Sequence, residues 1–451
     1  MKIFNKLWFI AALLLINNLY GQGLITNYKI HFNKMNQSEN IMQINCAFDI
    51  VFEDKECLPD TLDMNFGGQL KEHAIQDLEV SLTPDIDYVF NAEDKKISFI
   101  FDGSNAIDTV HVNMNYVYMN ISTAFNYRSA NEFWETSYQE FYYPFIFGQK
   151  INFKVKVTVP DSIIVIGNYT SLKECKNDSS TIYRFATKSP VVSHSLILAL
   201  LPIDDYKIFS VTVDDFRINY YVLRSIEISE KRITELENLT VASIDFFSRI
   251  FDDNYRNCLT GNDLSFVFHK NPYSNRNNGS FIIASQEKFA TKPHILPMVH
   301  EIGHRWLGEW TLLIDDGKPG AYFIKESLNE YMTLLFAKHY YGDLFYDSLL
   351  QDEYISAYQK IRGTSKDTSL FSMKYNNNNT VVYRKGIIII HKIVEIIGED
   401  QWLDFMGKFY SKYKYDPELD YQKFIDLLSQ IDFNAAKLLD GYVRSSLGIN
   451  Q

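Results

Sequence analysis

His300-Glu301-Ile302-Gly303-His304 is the stretch on which the reading of this chain turns. Residues four apart in a helix lie on one face, about one turn from each other, so His300 and His304 can aim both imidazoles at one Zn²⁺. Glu301 projects beside them, where a carboxylate can take a proton from water at such a metal. With 10 His in 451 residues, an H-E-x-x-H pattern arises by chance roughly 0.01–0.02 times per chain, so the match is informative. The bland alternative is an amphipathic helix whose histidines make ordinary polar contacts.

A catalytic zinc commonly takes three protein ligands and leaves a fourth position for water. The next helical segment, Ile324-Lys325-Glu326-Ser327-Leu328-Asn329-Glu330-Tyr331, supplies Glu326, 22 residues beyond His304. A carboxylate keeps the net charge of the site low while still letting the metal polarise a carbonyl. Glu330 stands one turn further along the same face, either as the alternative ligand or as an outer acceptor for a ligand histidine N–H. The competing reading of both is a solvated helix face.

His300 to Gly308 reads HEIGHRWLG, which resembles the HExxHxWxG signature of the M1 family of gluzincin aminopeptidases. Glu326 and Tyr331 are similar to that family's third-ligand segment, with Lys325 and Ser327 as departures. The gap from His304 to Glu326 is longer than usual there, and a turn-like insertion around Asp315 to Gly320 accounts for it. Val382-Tyr383-Arg384-Lys385-Gly386 resembles the family's YxKG segment. The resemblance implies that Tyr383 donates to the oxyanion of the tetrahedral intermediate, where a placed donor is most effective. It implies one Zn²⁺ per chain on His300, His304 and Glu326, which would polarise the peptide carbonyl and lower the pKa of water towards about 7. Glu301 would be the base that passes the proton to the leaving amine. The expected function is zinc-dependent peptide-bond hydrolysis. The alternative is a non-catalytic zinc- or peptide-binding protein that keeps the fold.

The resemblance extends to the flanks. Tyr143-Pro144, Ile151 to Pro160 and Ser189 to Leu201 are similar to the family's N-terminal β domain, and Trp402 to Leu428 to the last helices of its catalytic domain. The large C-terminal helical domain of longer members has no counterpart. One departure bears on specificity. The family's GxMEN segment, whose Glu binds the substrate ammonium, should fall at Tyr273 to Asn277, which reads YSNRN. Arg276 stands where the acid is expected, and a cation there repels an ammonium. Weak or absent cleavage of amino-terminal reporters follows. Arg276 would meet a substrate carboxylate or an internal peptide, or be an ordinary loop arginine; Glu287 could supply the acid if the loop is rearranged. Arg276, Gly279 and Ser280 are the candidate substrate contacts. Ser280 to Ala284 is expected to be an edge strand on which a peptide backbone could pair.

The rest of the chain sets the frame. Residues 1–21 read as an export signal: Lys2 and Lys6, then an apolar run from Leu7 to Ile16, too short for a membrane span of roughly twenty residues. Release outside the cell or retention at the envelope follows, with no transmembrane anchor after cleavage. Residues 22–209 are strand-like, with β-branched and aromatic runs punctuated by Asp, Asn, Gly and Pro. Residues 210–451 turn helical, beginning with Ile226 to Ile250 at three-to-four spacing. The expected fold is therefore α+β and multidomain, a β-sheet domain followed by a thermolysin-like, mostly helical catalytic domain, with the cleft between them. A formal charge of −12 argues against nucleic acid as partner and leaves a peptide or protein substrate. Cys46, Cys57, Cys175 and Cys258 form no CxxC pair, which argues against a cysteine metal site; Cys46 and Cys57 could pair, or all four could be free.

Overall fold

The computed structural model describes residues 23–33, 41–52, 58–66, 75–101, 107–119, 134–135, 142–147, 149–167, 171–176, 179–187, 190–193, 196–213, 216–253, 263–269, 276–277, 279, 281–292, 294–308, 311–312, 314, 317–373 and 379–446. The expected export signal lies outside these residues. By backbone contacts the chain divides into two units, Met1–Tyr206 and Lys207–Gln451. Among the described residues no helix is long and apolar enough to cross a membrane.

The first unit is built on a seven-stranded sheet in the order Ser171–Lys176, Ser180–Ala186, Phe153–Pro160, Leu24–Asn33, Ile41–Val51, Thr109–Met119, Ile75–Thr83. Its central pair, Leu24–Asn33 and Phe153–Pro160, runs parallel, with Tyr28 opposite Phe153. The other neighbouring strands of this sheet pair antiparallel. Strand Ile41–Val51 shows why this sequence makes a half-buried strand: Met42, Ile44, Cys46, Phe48 and Ile50 are buried, and the residues between them face out. The core is rich in tyrosine, and buried phenols need partners. Tyr143 Oη donates to the Ser193 carbonyl at 2.8 Å and accepts from Leu196 N at 3.0 Å. Tyr116 Oη donates to the Tyr142 carbonyl at 2.9 Å. Cys46 is a free, buried thiol that donates to Tyr28 Oη at 3.2 Å, and burial pushes it up to about 12. The Cys46–Cys57 pairing is thereby corrected: an inward-facing strand position commits this thiol to the core. Cys57 itself lies outside the described residues.

The second unit begins with a five-stranded sheet in the order Tyr206–Val213, Phe216–Leu223, Asp263–His269, Phe281–Ser285, Arg276–Asn277. Phe216–Leu223, Asp263–His269 and Phe281–Ser285 are parallel to one another. Parallel neighbours need a crossover, and the helix Glu230–Phe251 makes the first one. Ser229 caps it by accepting from Arg232 N, and Leu236, Leu239, Phe246, Phe247 and Phe251 are its buried stripe. Strand Phe281–Ser285 is buried along its whole length.

One expectation is overturned here. The strand expected at Ser280 to Ala284 is not the edge of its sheet. Arg276 pairs with Ile283 and Asn277 with Ile282, antiparallel, so a two-residue strand occupies that edge. A stretch of the same chain thus takes the pairing positions at Ile282 and Ile283, where a peptide backbone was expected.

Candidate metal centre

The helix Leu296–Gly303 carries His300 and Glu301 and opens with Pro297 in its first turn, where the missing N–H costs nothing. His304 follows as the C-cap, still in the right-handed helical region, with its N–H on the His300 carbonyl at 3.2 Å. The chain then leaves the helix and reaches Gly308 at φ +118°, a conformation that favours glycine. Every residue of the HEIGHRWLG stretch that bears on the site has a visible reason. Gly303 lets another helix cross closely: a Cβ there would lie 2.1 Å from Asn329 Oδ1 and 2.9 Å from Phe247 Cζ. Trp306 is fully buried, stacks on Phe247, and donates its indole N–H to the Asp253 carbonyl at 3.0 Å. Leu307 presents its carbonyl to His304 Nδ1 at 3.0 Å. With Nδ1 donating, Nε2 is the free ring nitrogen.

The crossing helix, Leu328–Tyr341, is preceded by a π-helical turn, Phe323–Ser327, which carries Glu326. A second π-helical turn, Val381–Lys385, carries Tyr383 and leads into the helix Gly386–Ile397. Such turns insert one residue into a helix and recur at functional sites because they re-aim side chains. The two turns touch: Ser327 Oγ donates to the Val382 carbonyl at 2.7 Å, and a Cβ on Gly386 would meet Ser327 Oγ at 2.2 Å. Ser327, a departure from the family pattern, is thus a bridge between the two turns.

These elements converge on one point. Glu326 Oε2 lies 3.3 Å from His300 Nε2 and 3.4 Å from His304 Nε2. The ligand atoms of the three residues all lie within 4.8 Å of one another. A tetrahedral Zn²⁺ with bonds of about 2.05 Å has ligand–ligand edges of roughly 3.3–3.4 Å. The donor set and its spacing therefore fit zinc. The three groups are also complementary in charge. Burial lowers the pKa of His300, but Glu326 and Glu330 outweigh it and hold it well above 6.5. His304 is raised for the same reason, against burial, chiefly by Glu326. Burial raises Glu326, yet His304 and His300 hold it well below the usual carboxylate range.

The other expected site residues fall as follows. Glu301 is buried on the metal helix, and its charge acts on His300, His304 and Tyr383. Tyr383 Oη donates to Glu326 Oε2 at 2.7 Å, and burial and Glu326 raise its pKa well above 10, so it stays a donor. Glu330 is not with the three donor atoms; its Oε2 sits 2.7 Å from His300 Nδ1, on the far side of the ring, as a close ion pair without linear hydrogen-bond alignment. Of its two readings the structure favours the outer acceptor. Tyr331 is core, packed edge-on against Trp402. Arg276 lies in the two-residue strand described above, Gly279 is buried at φ +80°, and Ser280 lies outside the described residues.

Three contributors escaped the sequence. Asn329 Nδ2 donates to the His300 carbonyl at 2.7 Å and pins the metal helix. Tyr354 and Arg384 both reach Glu330. Arg384 had a signal, its place beside Tyr383 in the YxKG-like segment. Tyr354 had none, because its approach depends on how separate turns meet.

Comparison with known proteins comes to the same place. Residues 242–442 match the model of the peptidase family M1 domain. Among solved structures, an M1 zinc metallopeptidase from Deinococcus radiodurans superposes with a TM-score of 0.71 at 13% identity, covering 95% of each chain. A mutant of that protein bound to a Tyr-Ser-Ala substrate gives 0.71 at 13%, covering 95% of this chain and 96% of that one. A mutant two-domain M1 zinc metallopeptidase bound to L-arginine gives 0.72 at 12%, again over 95% and 96%. A search of curated proteins finds no match. Residues 242–442 of this chain thus match a peptidase family M1 domain, and the chain has the fold of the two-domain M1 zinc metallopeptidases, a β-sheet domain followed by a mostly helical one.

Proposed function

We propose that this chain is a zinc-dependent peptidase. The observation that carries the reading is the meeting of His300 Nε2, His304 Nε2 and Glu326 Oε2 at tetrahedral-edge spacing, with the Tyr383 phenol on the same carboxylate oxygen. Zinc held by His300, His304 and Glu326 would supply a Lewis acid that polarises a peptide carbonyl and lowers the pKa of water towards about 7. Glu301, buried beside the ligands, takes the proton of the attacking water and returns it to the leaving amine. Tyr383 stays protonated because burial and Glu326 penalise its anion, so its hydroxyl can donate to the oxygen on which charge develops. Asn329 holds the backbone of His300 so that the ligand helix does not shift. A short peptide is a natural substrate class, in keeping with the Tyr-Ser-Ala substrate of the Deinococcus protein.

Arg276 in place of an acid removes the usual anchor for an amino terminus, so blocked and internal peptides should be accepted. Two features work against a merely zinc-binding protein: Glu301 and Tyr383, neither of which is needed to hold a metal. The test is a cleavage-site profile on a mixed library of free and amino-terminally blocked peptides. Comparable cleavage of both supports the reading. A strong preference for free amino termini would overturn the specificity part. A zinc-loaded protein that cleaves nothing would overturn the enzyme and leave the binding protein.

A further inference from the structure

Glu330 reaches His300 with one carboxylate oxygen, and two groups hold the other. Tyr354 Oη donates to Glu330 Oε1 at 2.9 Å, and Arg384 Nη1 approaches the same atom at 3.5 Å. The Arg384 guanidinium lies over the Tyr354 ring, 4.7 Å from its centroid, so the two holders also hold each other. Tyr354 belongs to a third π-helical turn, Leu350–Ile355, and Arg384 to the turn that carries Tyr383. Arg384 Nη1 also donates to the Tyr383 carbonyl at 3.1 Å. A glutamate's terminal torsion is broad and roughly two-fold, so an untethered carboxylate rotates readily. With Oε1 tethered, Oε2 stays against His300 Nδ1, and the ring keeps Nε2 turned towards Glu326 and His304.

We propose that Tyr354 and Arg384 are positioning residues that lock the Glu330 carboxylate, and through it the His300 ring, in the orientation that binds zinc. Metal affinity is thus set partly two contacts away from the ligand, and in the case of Tyr354 on a turn outside every recognisable motif. Partners of a ligand histidine are generally worth about 10–100-fold in metal affinity. The guanidinium also ties the Tyr383 turn to the ligand shell, so the oxyanion donor and the metal site share one support.

The inference rests on the zinc reading above but not on turnover. Its test is zinc affinity, measured by competition with a chromophoric chelator, for wild type, Tyr354→Phe, Arg384→Met and Glu330→Ala, and for each of the first two variants combined with Glu330→Ala. Tyr354→Phe keeps the ring and the stacking and removes only the hydroxyl, so it serves even if Arg384→Met fails to fold. The expected result is about tenfold weaker zinc binding for each single change, up to about a hundredfold for Glu330→Ala. In the Glu330→Ala background Tyr354→Phe and Arg384→Met should cost nothing further, the non-additivity of residues acting through one group. Affinities within twofold of wild type, or losses that add in full without Glu330, would overturn it. A wild type that binds zinc but cleaves no peptide removes the peptidase reading and leaves this inference standing. Normal hydrolysis with unchanged zinc affinity in Tyr354→Phe does the reverse.

Discussion

Both units of this chain bury polar side chains, and they satisfy them differently. In the first unit the buried phenols end on backbone: Tyr143 on Ser193 and Leu196, Tyr116 on Tyr142. These hydrogen bonds serve the sheet. In the second unit His300, His304, Glu326, Glu330 and Tyr383 end largely on one another. Burying so many ionisable groups together is costly unless they are paired, and the pairing here converges on one carboxylate oxygen. A cluster whose partners are each other can exchange them for a cation. A phenol on a peptide carbonyl has no such option. The direction in which a buried polar group points thus separates scaffold from site in this molecule.

The sharpest way to break that contrast is Glu326→Gln. It removes the anionic oxygen on which both imidazoles and Tyr383 converge, and stoichiometric zinc binding should be lost in a metal analysis of the purified variant. Retained zinc would mean that another group is the third ligand. Next in size is Tyr383→Phe, which should leave zinc bound and lower kcat about 10²–10³-fold, the range for losing one oxyanion donor. A loss confined to KM would contradict the assigned role.

Tyr143→Phe tests the scaffold side. It leaves the Ser193 carbonyl and the Leu196 N–H without the phenol, which should cost about 2–3 kcal/mol of stability in denaturant unfolding. Zinc affinity and turnover should not change while the protein is folded. A loss of activity without loss of stability would blur the two classes.

An effect of similar size, spread over a pH window, concerns His269, at the end of strand Asp263–His269, where burial pushes the imidazole down to about 4. The folded pKa lies below the unfolded one, so its contribution is complete above about pH 6.5 and is lost as pH falls through the folded value. The loss amounts to about 3 kcal/mol between pH 6.5 and 4. Comparing the pH dependence of unfolding in wild type and His269→Gln isolates this share. Parallel curves would show that His269 titrates normally.

How much of this was legible in the sequence depends on the kind of signal. His300 and His304 were legible because helix period alone puts them on one face. Glu326 and Tyr383 were legible through motifs around them, and Glu330 through its place one turn beyond Glu326. The role of Glu330 was not, because spacing does not say which side of an imidazole a carboxylate meets. Tyr354 was invisible: three π-helical turns, at Phe323–Ser327, Leu350–Ile355 and Val381–Lys385, bring the cluster together, and each looks like continuous helix in sequence. The misplaced sheet edge has a similar cause. A strand of two residues, Arg276–Asn277, is too short to show any alternation, yet it suffices to cover Ile282 and Ile283.

The central claim is that the converging cluster is a working hydrolytic centre and not merely a metal clamp. The most direct measurement compares peptide-library hydrolysis by zinc-loaded wild type and zinc-loaded Glu301→Gln at equal, verified metal content. The account predicts cleavage by wild type and a fall in kcat of about 10²–10⁴-fold in the variant, the usual worth of a positioned general base. Equal cleavage by both, or none by a fully metal-loaded wild type, would contradict it.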